Sequence, residues 1–256
     1  MKLYYREEGS AKNPPLVILH GLFGSSDNWL TMARTLAEEY YVVLPDARNH
    51  GQSPHAEEFD YPSMAADLLK LLDDLALKSV YLVGHSMGGK IAMHLACAHP
   101  QRVKKLVVVD ISPRYYRPHH QVILAGLHNL PLDKIKTRRD ADKALSLHID
   151  ELGVRQFLLK NLDRTDSGYR WSINLPVITD NIENVGEALD EGATYPGPTL
   201  FIDGETSSYI KEKDTPLIKQ HFPAAQISTI AQAGHWVQAE QPEAFHKVLV
   251  EFLTEK

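Results

Sequence analysis

A serine between two closely spaced glycines is the residue of this sequence best suited to chemistry. Ser86 has Gly84 and Gly88 two positions away on either side, after an apolar run of strand length and before a helical run. This pattern predicts a turn too tight for side chains at the two glycines, with the Ser86 hydroxyl exposed above the end of the strand. The N–H groups and dipole of the following helix would face any negative charge that develops beside Ser86. The spacing therefore indicates a nucleophile.

A serine hydroxyl is a poor nucleophile unless a base accepts its proton and an acid orients that base. His235 is the histidine best placed to be the base. It follows Gly234 after the last predicted strand, in a loop that can bring the imidazole to the serine. The chain order, serine first and histidine later, is that of strand–turn–helix hydrolases.

The carboxylate that orients His235 has three candidates. We favour Asp110, because it directly ends a buried apolar run and would lie beside the serine at the same edge of the sheet. Asp110 could instead cap the next turn through Ser112. Glu205 and Asp203, which follow a later strand, remain open as alternatives.

An alkoxide that forms on the substrate needs two N–H groups pointed at it. The backbone N–H of Met87 follows the serine directly and is the first. The second is expected from the glycine-containing loop 20–24, where we favour Leu22 over Phe23. The alternative is that this loop is an ordinary turn between a strand and a helix.

Apolar runs of strand length alternate with segments of helical periodicity, which is typical of a mostly parallel sheet flanked by helices, an α/β fold. The predicted strands are residues 16–20, 41–45, 80–84, 103–111, 198–202 and 226–230. After Pro113 the pattern changes to about eighty charged, helix-rich residues. The predicted helices in this segment are residues 121–129, 140–149, 154–162 and 175–189. We therefore expect a core domain of residues 1–112 and 196–256 and a helical lid, or cap, inserted at residues 113–195 after the strand that ends at Asp110.

Composition and charge exclude several classes of function. The 256 residues carry a formal charge of −6, which argues against general affinity for nucleic acid or anionic membranes. Cys97 is the only cysteine, so no internal disulfide can form. Neither a signal peptide nor a membrane span is evident, so we expect a cytoplasmic protein without membrane insertion. No cofactor or metal is required, a small-molecule substrate is the expected partner, and the choice between monomer and homodimer stays open.

One segment is strongly basic despite the acidic whole. Residues 101–139 hold nine basic and two acidic residues, a formal charge of +7. Arg114, Arg117, His119 and His120 follow Asp110 closely and are expected near the mouth of the site. Such a cluster could bind the phosphates of a coenzyme A carrier, or it could be a solvated face.

The motifs together resemble the α/β-hydrolase fold superfamily across nearly the whole chain. They are HGLFG at residues 20–24, GHSMG at 84–88 and GH at 234–235, in this order. The segment RNHGQS at residues 48–53 is similar to bacterial YbfF-type esterases and their mitochondrial relatives. This resemblance implies a lidded serine esterase that acts on acyl esters and thioesters, including acyl-CoA.

The sequence departs from the superfamily at the usual position of the acid, which holds Ser207 here. A hydroxyl cannot supply the charge, and some superfamily members take their acid from the strand that Asp110 ends. Our hypothesis is that Asp110 orients His235 while Ser207 hydrogen-bonds the imidazole or a water nearby. His20 lies at the same rim. Phe23 and Trp236 are expected to line an acyl pocket, with core packing as the alternative.

The combined expectation is acyl transfer to water through an acyl-enzyme on Ser86, with His235 as the base. An unperturbed histidine pKa of roughly 6.5 predicts that activity falls in mild acid. Two alternatives stay open: hydrolysis or lysis of C–C bonds on the same scaffold, and a ligand-binding receptor with little turnover.

Overall fold

The structure is a computed structural model that describes residues 1–166 and 168–255. The strands are β1 Tyr5–Glu8, β2 Pro15–Leu19, β3 Tyr41–Pro45, β4 Val80–His85, β5 Val103–Val109, β6 Leu162–Thr165, β7 Gly168–Trp171, β8 Thr199–Gly204 and β9 Ala225–Ile230. The helices are α1 Leu30–Leu36, α2 Tyr61–Asp74, α3 Met87–Ala98, α4 Gln121–His128, α5 Arg138–Leu145, α6 Leu152–Leu158, α7 Leu175–Asp180, α8 Thr215–His221, α9 Val237–Glu240 and α10 Pro242–Thr254.

Seven strands form one sheet in the order β1-β3-β2-β4-β5-β8-β9. All neighbouring pairs are parallel except β1 with β3. Side chains alternate along each strand, so Val17 and Leu19 of β2 join the core on one face while Leu16 and Ile18 join the core on the other. Helices α2 and α3 cover the first face, and α1 and α10 cover the second. The mostly parallel sheet flanked by helices is the predicted fold.

The parallel strands place their carboxyl ends along one edge, where the predicted site residues lie. Ser86 follows β4, Asp110 follows β5, and His235 lies in the loop between β9 and α9. Strand β4 pairs with β5 and β5 with β8, so the chain segments that carry Ser86, Asp110 and Ser207 are neighbours. The topology alone thus brings distant parts of the sequence to one rim.

Residues 113–195 connect β5 with β8 and hold α4 to α7 together with the β6–β7 hairpin. The sequence analysis did not predict this hairpin or the edge strand β1. The helix expected over residues 175–189 was also wrong in extent: α7 ends at Asp180, and a 3-10 turn, Ile182–Gly186, follows. At Gly186 an added Cβ would collide with the carbonyl oxygen of Tyr116, so the chain turns there against the loop that leads from β5 into the insertion.

None of the helices within residues 1–166 and 168–255 combines the length and the apolar character needed to cross a bilayer.

Candidate active site

Ser86 occupies a strained turn between β4 and α3. Its backbone has φ 53° and ψ −118°, a conformation that L-residues seldom adopt. A Cβ on Gly84 would collide with the carbonyl of Gly88, and a Cβ on Gly88 would collide with the carbonyl of His20. The two glycines are therefore required for different contacts, and together they allow the serine side chain to stand at the rim.

His235 lies between the serine and a carboxylate. Its Nε2 is 3.1 Å from Ser86 Oγ, and its Nδ1 is 2.7 Å from Asp110 Oδ2. In the arrangement that these contacts favour, the hydroxyl donates to Nε2 and the Nδ1–H donates to the carboxylate. The loop that carries the imidazole is held by Glu240, which accepts hydrogen bonds from the N–H groups of Gly234 and Trp236.

Asp110 is fully buried and accepts three hydrogen bonds. The donors are His235 Nδ1, the Ser207 hydroxyl at 2.5 Å and the Gly204 N–H at 3.4 Å. Ser207 was expected to bond the imidazole or a water nearby, but its hydroxyl donates to the Asp110 carboxylate and not to the imidazole. Ser207 thus stabilises the charge of the acid rather than the base.

The contacts do not support a capping role for Asp110 or the two alternative carboxylates, Glu205 and Asp203. The N–H of Ser112 donates to the Tyr116 hydroxyl, so Asp110 does not cap that turn. Glu205 is exposed and accepts from the N–H of Gln232 at 2.8 Å. Asp203 accepts from the Thr229 hydroxyl at 2.9 Å. Neither of these two carboxylates bonds the imidazole.

The backbone N–H groups of the oxyanion candidates differ in their hydrogen bonds. Phe23 donates its N–H to His50 Nε2 at 3.2 Å and is therefore engaged. The N–H groups of Leu22 and Met87 have no acceptor within the described part of the chain. Both residues line the small cavity next to Ser86, so their N–H groups are available to an oxyanion.

Burial shifts the pKa values of the buried pair in opposite senses. It lowers the pKa of His235 to about 4, and the charge of His119 adds to this effect while that of Glu240 opposes it. Burial raises the pKa of Asp110 to about 6, and the Ser207 hydrogen bond opposes the rise. At neutral pH the imidazole is therefore neutral and the carboxylate ionised, which are the states that proton abstraction from a serine requires.

Two cavities meet at Ser86. The larger, of about 570 Å³, is mainly apolar and includes the predicted pocket residues Phe23 and Trp236 in its wall. The smaller, of about 30 Å³, lies on the side of Met87 and includes Arg117. The space beside the serine thus suits an apolar substrate with a small group on one side.

The comparisons with known proteins identify the family of the chain. The family model for the α/β hydrolase fold matches residues 14–242. The chain belongs to the α/β-hydrolase fold family. It is 36% identical over 259 residues to esterase YbfF from Escherichia coli, with all of both chains covered. It is also 40% identical over 254 residues to the sn-1-specific diacylglycerol lipase ABHD11 of Xenopus laevis, covering 96% of this chain and 81% of the relative.

Solved structures give the same result. A marine microorganism esterase matches this hydrolase with a TM-score of 0.95 and 45% identity, covering 98% of this chain and 99% of that one. E-2-(acetamidomethylene)succinate hydrolase matches with a TM-score of 0.80 at 20% identity, covering 99% and 95%, and this likeness concerns the fold alone. The resemblance to YbfF-type esterases that the motifs carried is confirmed.

Two residues predicted near the substrate have other contacts in this hydrolase. The ring of His20 is only 2% exposed, accepts from the Ala47 N–H at 3.0 Å and contacts the Gly21 carbonyl, so it supports the loop rather than the cavity wall. Arg114 pairs with Asp214 at 3.2 Å. Arg117, by contrast, does line the small cavity.

Three side chains around His235 received no role in the sequence analysis. Tyr209 stacks on the imidazole, His85 Nε2 donates to the His235 carbonyl at 2.8 Å, and Glu240 holds the loop. His85 could have been found from its place beside Ser86 in the glycine motif. Tyr209 and Glu240 carry no local signal, because their contacts arise only from the tertiary fold.

Proposed function

We propose that this α/β hydrolase is a serine esterase that cleaves carboxylic esters, with Ser86 as nucleophile, His235 as base and Asp110 as acid. The observation that carries the proposal is the hydrogen-bonded chain from Ser86 Oγ through the imidazole to Asp110, with distances of 3.1 and 2.7 Å. Relatives that are named esterase and lipase support ester hydrolysis as the reaction.

The mechanism follows from the direction of each hydrogen bond. His235 Nε2 takes the Ser86 proton as Oγ attacks the ester carbonyl, and the N–H groups of Leu22 and Met87 stabilise the oxyanion. The protonated imidazole then gives its proton to the leaving oxygen, and an acyl-enzyme forms on Ser86. A water deprotonated by the same imidazole releases the acid and restores the serine.

We further propose that residues 113–195 form a lid over the cavity. Asn161 supports this role, because its amide donates to the Phe23 carbonyl at 2.7 Å and so joins the insertion to the oxyanion loop. The mainly apolar cavity of about 570 Å³ suits esters with an apolar group. Acyl thioesters, including acyl-CoA, are a further proposed substrate class, because the same attack applies and Arg117 lies where a phosphate could reach it.

The test uses a short-chain nitrophenyl ester and a fluorophosphonate probe. Ser86→Ala should abolish both turnover and labelling, because the attacking oxygen is removed. Ser10→Ala, at an exposed serine far from the site, is the matched control and should keep both. Mass spectrometry should place the probe on Ser86. If the wild-type protein shows neither turnover nor labelling, the ligand-binding receptor is favoured. If it turns over a C–C substrate but no ester, hydrolysis or lysis of C–C bonds is favoured.

A further inference from the structure

Tyr209 covers the imidazole on which the proposed mechanism depends. The two rings stack with centroids 4.1 Å apart and planes inclined by only 19°. Tyr209 lies five residues after the end of β8 and lines both cavities beside Ser86. Its ring thus covers one face of the imidazole, while His235 itself also lines the larger cavity.

The stacking position is fixed by contacts at both ends of the residue. The Tyr209 hydroxyl is 3.2 Å from His119 Nε2 in the insertion. Its backbone N–H donates to Ser207 Oγ at 3.2 Å, and its carbonyl accepts from the Tyr116 hydroxyl at 2.5 Å. Because the Ser207 hydroxyl itself donates to Asp110, Tyr209 joins the acid and the base through one short segment.

We propose that Tyr209 is a positioning residue, which holds the His235 imidazole in the plane that directs Nε2 at Ser86 and Nδ1 at Asp110. This inference rests on the proposed esterase function. A flat contact restricts rotation of the ring while leaving both nitrogens free to exchange protons. Displacement of a catalytic group by about 1 Å can cost about 10²-fold in rate, so this restraint has a direct kinetic consequence.

Several charged or titratable groups face the imidazole from the elements around it. Asp110 follows β5, His85 ends β4, His119 and His120 belong to the insertion, and Glu240 ends α9. Removing the Tyr209 ring takes one contact from His119, leaves the other groups in place and opens the stacked face of the imidazole to water. Since burial is the main cause of the low pKa of His235, its pKa should rise toward the ordinary value.

The experiment compares Tyr209→Leu, Tyr209→Phe and the control Tyr115→Leu, whose ring is 53% exposed. Tyr209→Leu should lower kcat for a nitrophenyl ester by roughly 10- to 100-fold and move the acid limb of kcat/KM to higher pH. Tyr209→Phe keeps the ring and should recover most of kcat and the acid limb. Tyr115→Leu should behave as the wild type.

Thermal melts establish that each variant is folded, and Tyr209→Met, which keeps more volume, replaces Tyr209→Leu if the latter is not. The proposal is overturned if Tyr209→Leu keeps kcat and the pH profile within twofold, or if Tyr209→Phe loses as much as Tyr209→Leu. Either result would leave wild-type turnover and its dependence on Ser86 intact. Failure of the positioning role is thus distinct from failure of the proposed function.

Discussion

Asp110 has an environment that suits a permanent partner of a histidine. Its backbone has φ 49°, an unusual value for a residue with a Cβ, and this conformation turns the buried carboxylate toward His235. In the proposed triad the acid therefore lies at the end of β5, and Ser207 holds the position where the superfamily resemblance places the acid. The hydroxyl there still contributes, because it donates a hydrogen bond to the Asp110 carboxylate.

Replacing the acid tests this assignment. Asp110→Asn should lower kcat at least about 10²-fold, because an amide can neither hold the imidazole in the required tautomer nor stabilise its charge. Glu205→Gln, at the exposed carboxylate near the usual position, should change kcat less than about twofold. Steady-state kinetics on one ester compares the two variants. The reverse pattern would make Glu205 the acid.

The pH profile tests the electrostatics of the same pair. Because burial lowers the pKa of His235, the active state should persist below the ordinary histidine pKa of about 6.5. The pair then takes up a proton only in more acidic solution, and kcat/KM falls there. An apparent pKa above 6.5 in kcat/KM at constant ionic strength would contradict this.

The pH profile of Ser207→Ala can be compared with that of the wild type. The Ser207 hydrogen bond favours the ionised carboxylate, so its loss should raise the pKa of Asp110 further. The carboxylate would then take its proton at higher pH, and the fall in kcat/KM would begin at higher pH than in the wild type. A profile that does not move would show that the hydroxyl has no part in the charge state.

Helix α3 follows Ser86, and the last residue of its first turn, Lys90, also contacts the insertion. Lys90 is 1% exposed, and its Nζ donates to the carbonyls of Arg114 and Glu187, both at 2.7 Å. These carbonyls lie on the two chain segments that join residues 113–195 to the core. One buried ammonium group therefore ties both connections to the helix that carries Ser86.

Lys90→Met keeps the length of the side chain but removes both donors. It should lower the free energy of unfolding by about 2 kcal/mol or more, since each buried carbonyl left unpaired costs about 1–3 kcal/mol. The exposed Lys78→Met is the control and should change stability by less than about 0.5 kcal/mol. Urea unfolding gives both free energies. Equal stability of the two variants would show that Lys90 does not stabilise the attachment of the insertion.

The pH dependence of this difference has a defined sign. Burial lowers the pKa of Lys90 to about 7, below its unfolded value. The unfolded chain then binds more protons between these two pKa values, so wild-type stability relative to Lys90→Met should increase as pH rises from about 7 to 10. A constant difference over this range would show that the lysine titrates normally.

Local patterns predicted the elements that dominate the site, and tertiary contacts decided the rest. Strand β3 was predicted with its observed bounds, Tyr41–Pro45, because five consecutive buried residues give a continuous apolar run. Strand β1 reads YREE and lacks such a run, since it pairs at the sheet edge with its side chains partly exposed. In the same way, Ser86 and His235 follow from motifs, whereas the stacking of Tyr209 depends on how two distant loops meet.

The positions of the basic residues also could not be predicted from the sequence alone. Residues 101–139 carry +7 while the whole chain carries −6, which suggested one basic patch. In the structure Arg102 pairs with Asp73, Lys105 Nζ donates to backbone carbonyls near the end of α10, and Arg114 pairs with Asp214. The basic residues are thus dispersed over the surface, and Arg117 is the arginine of this segment that lines a cavity beside Ser86.

This distribution makes the thioester proposal testable at a single residue. If Arg117 contacts a phosphate of acyl-CoA, Arg117→Ala should raise KM for acyl-CoA roughly 3- to 10-fold and leave KM for a neutral ester unchanged. Raising salt should do the same to the wild type, since screening shortens the electrostatic range to about 8 Å at 0.15 M. Arg139→Ala, at an exposed arginine of the same segment, is the control. Salt effects of equal size on both substrates would remove the phosphate contact while leaving ester hydrolysis intact.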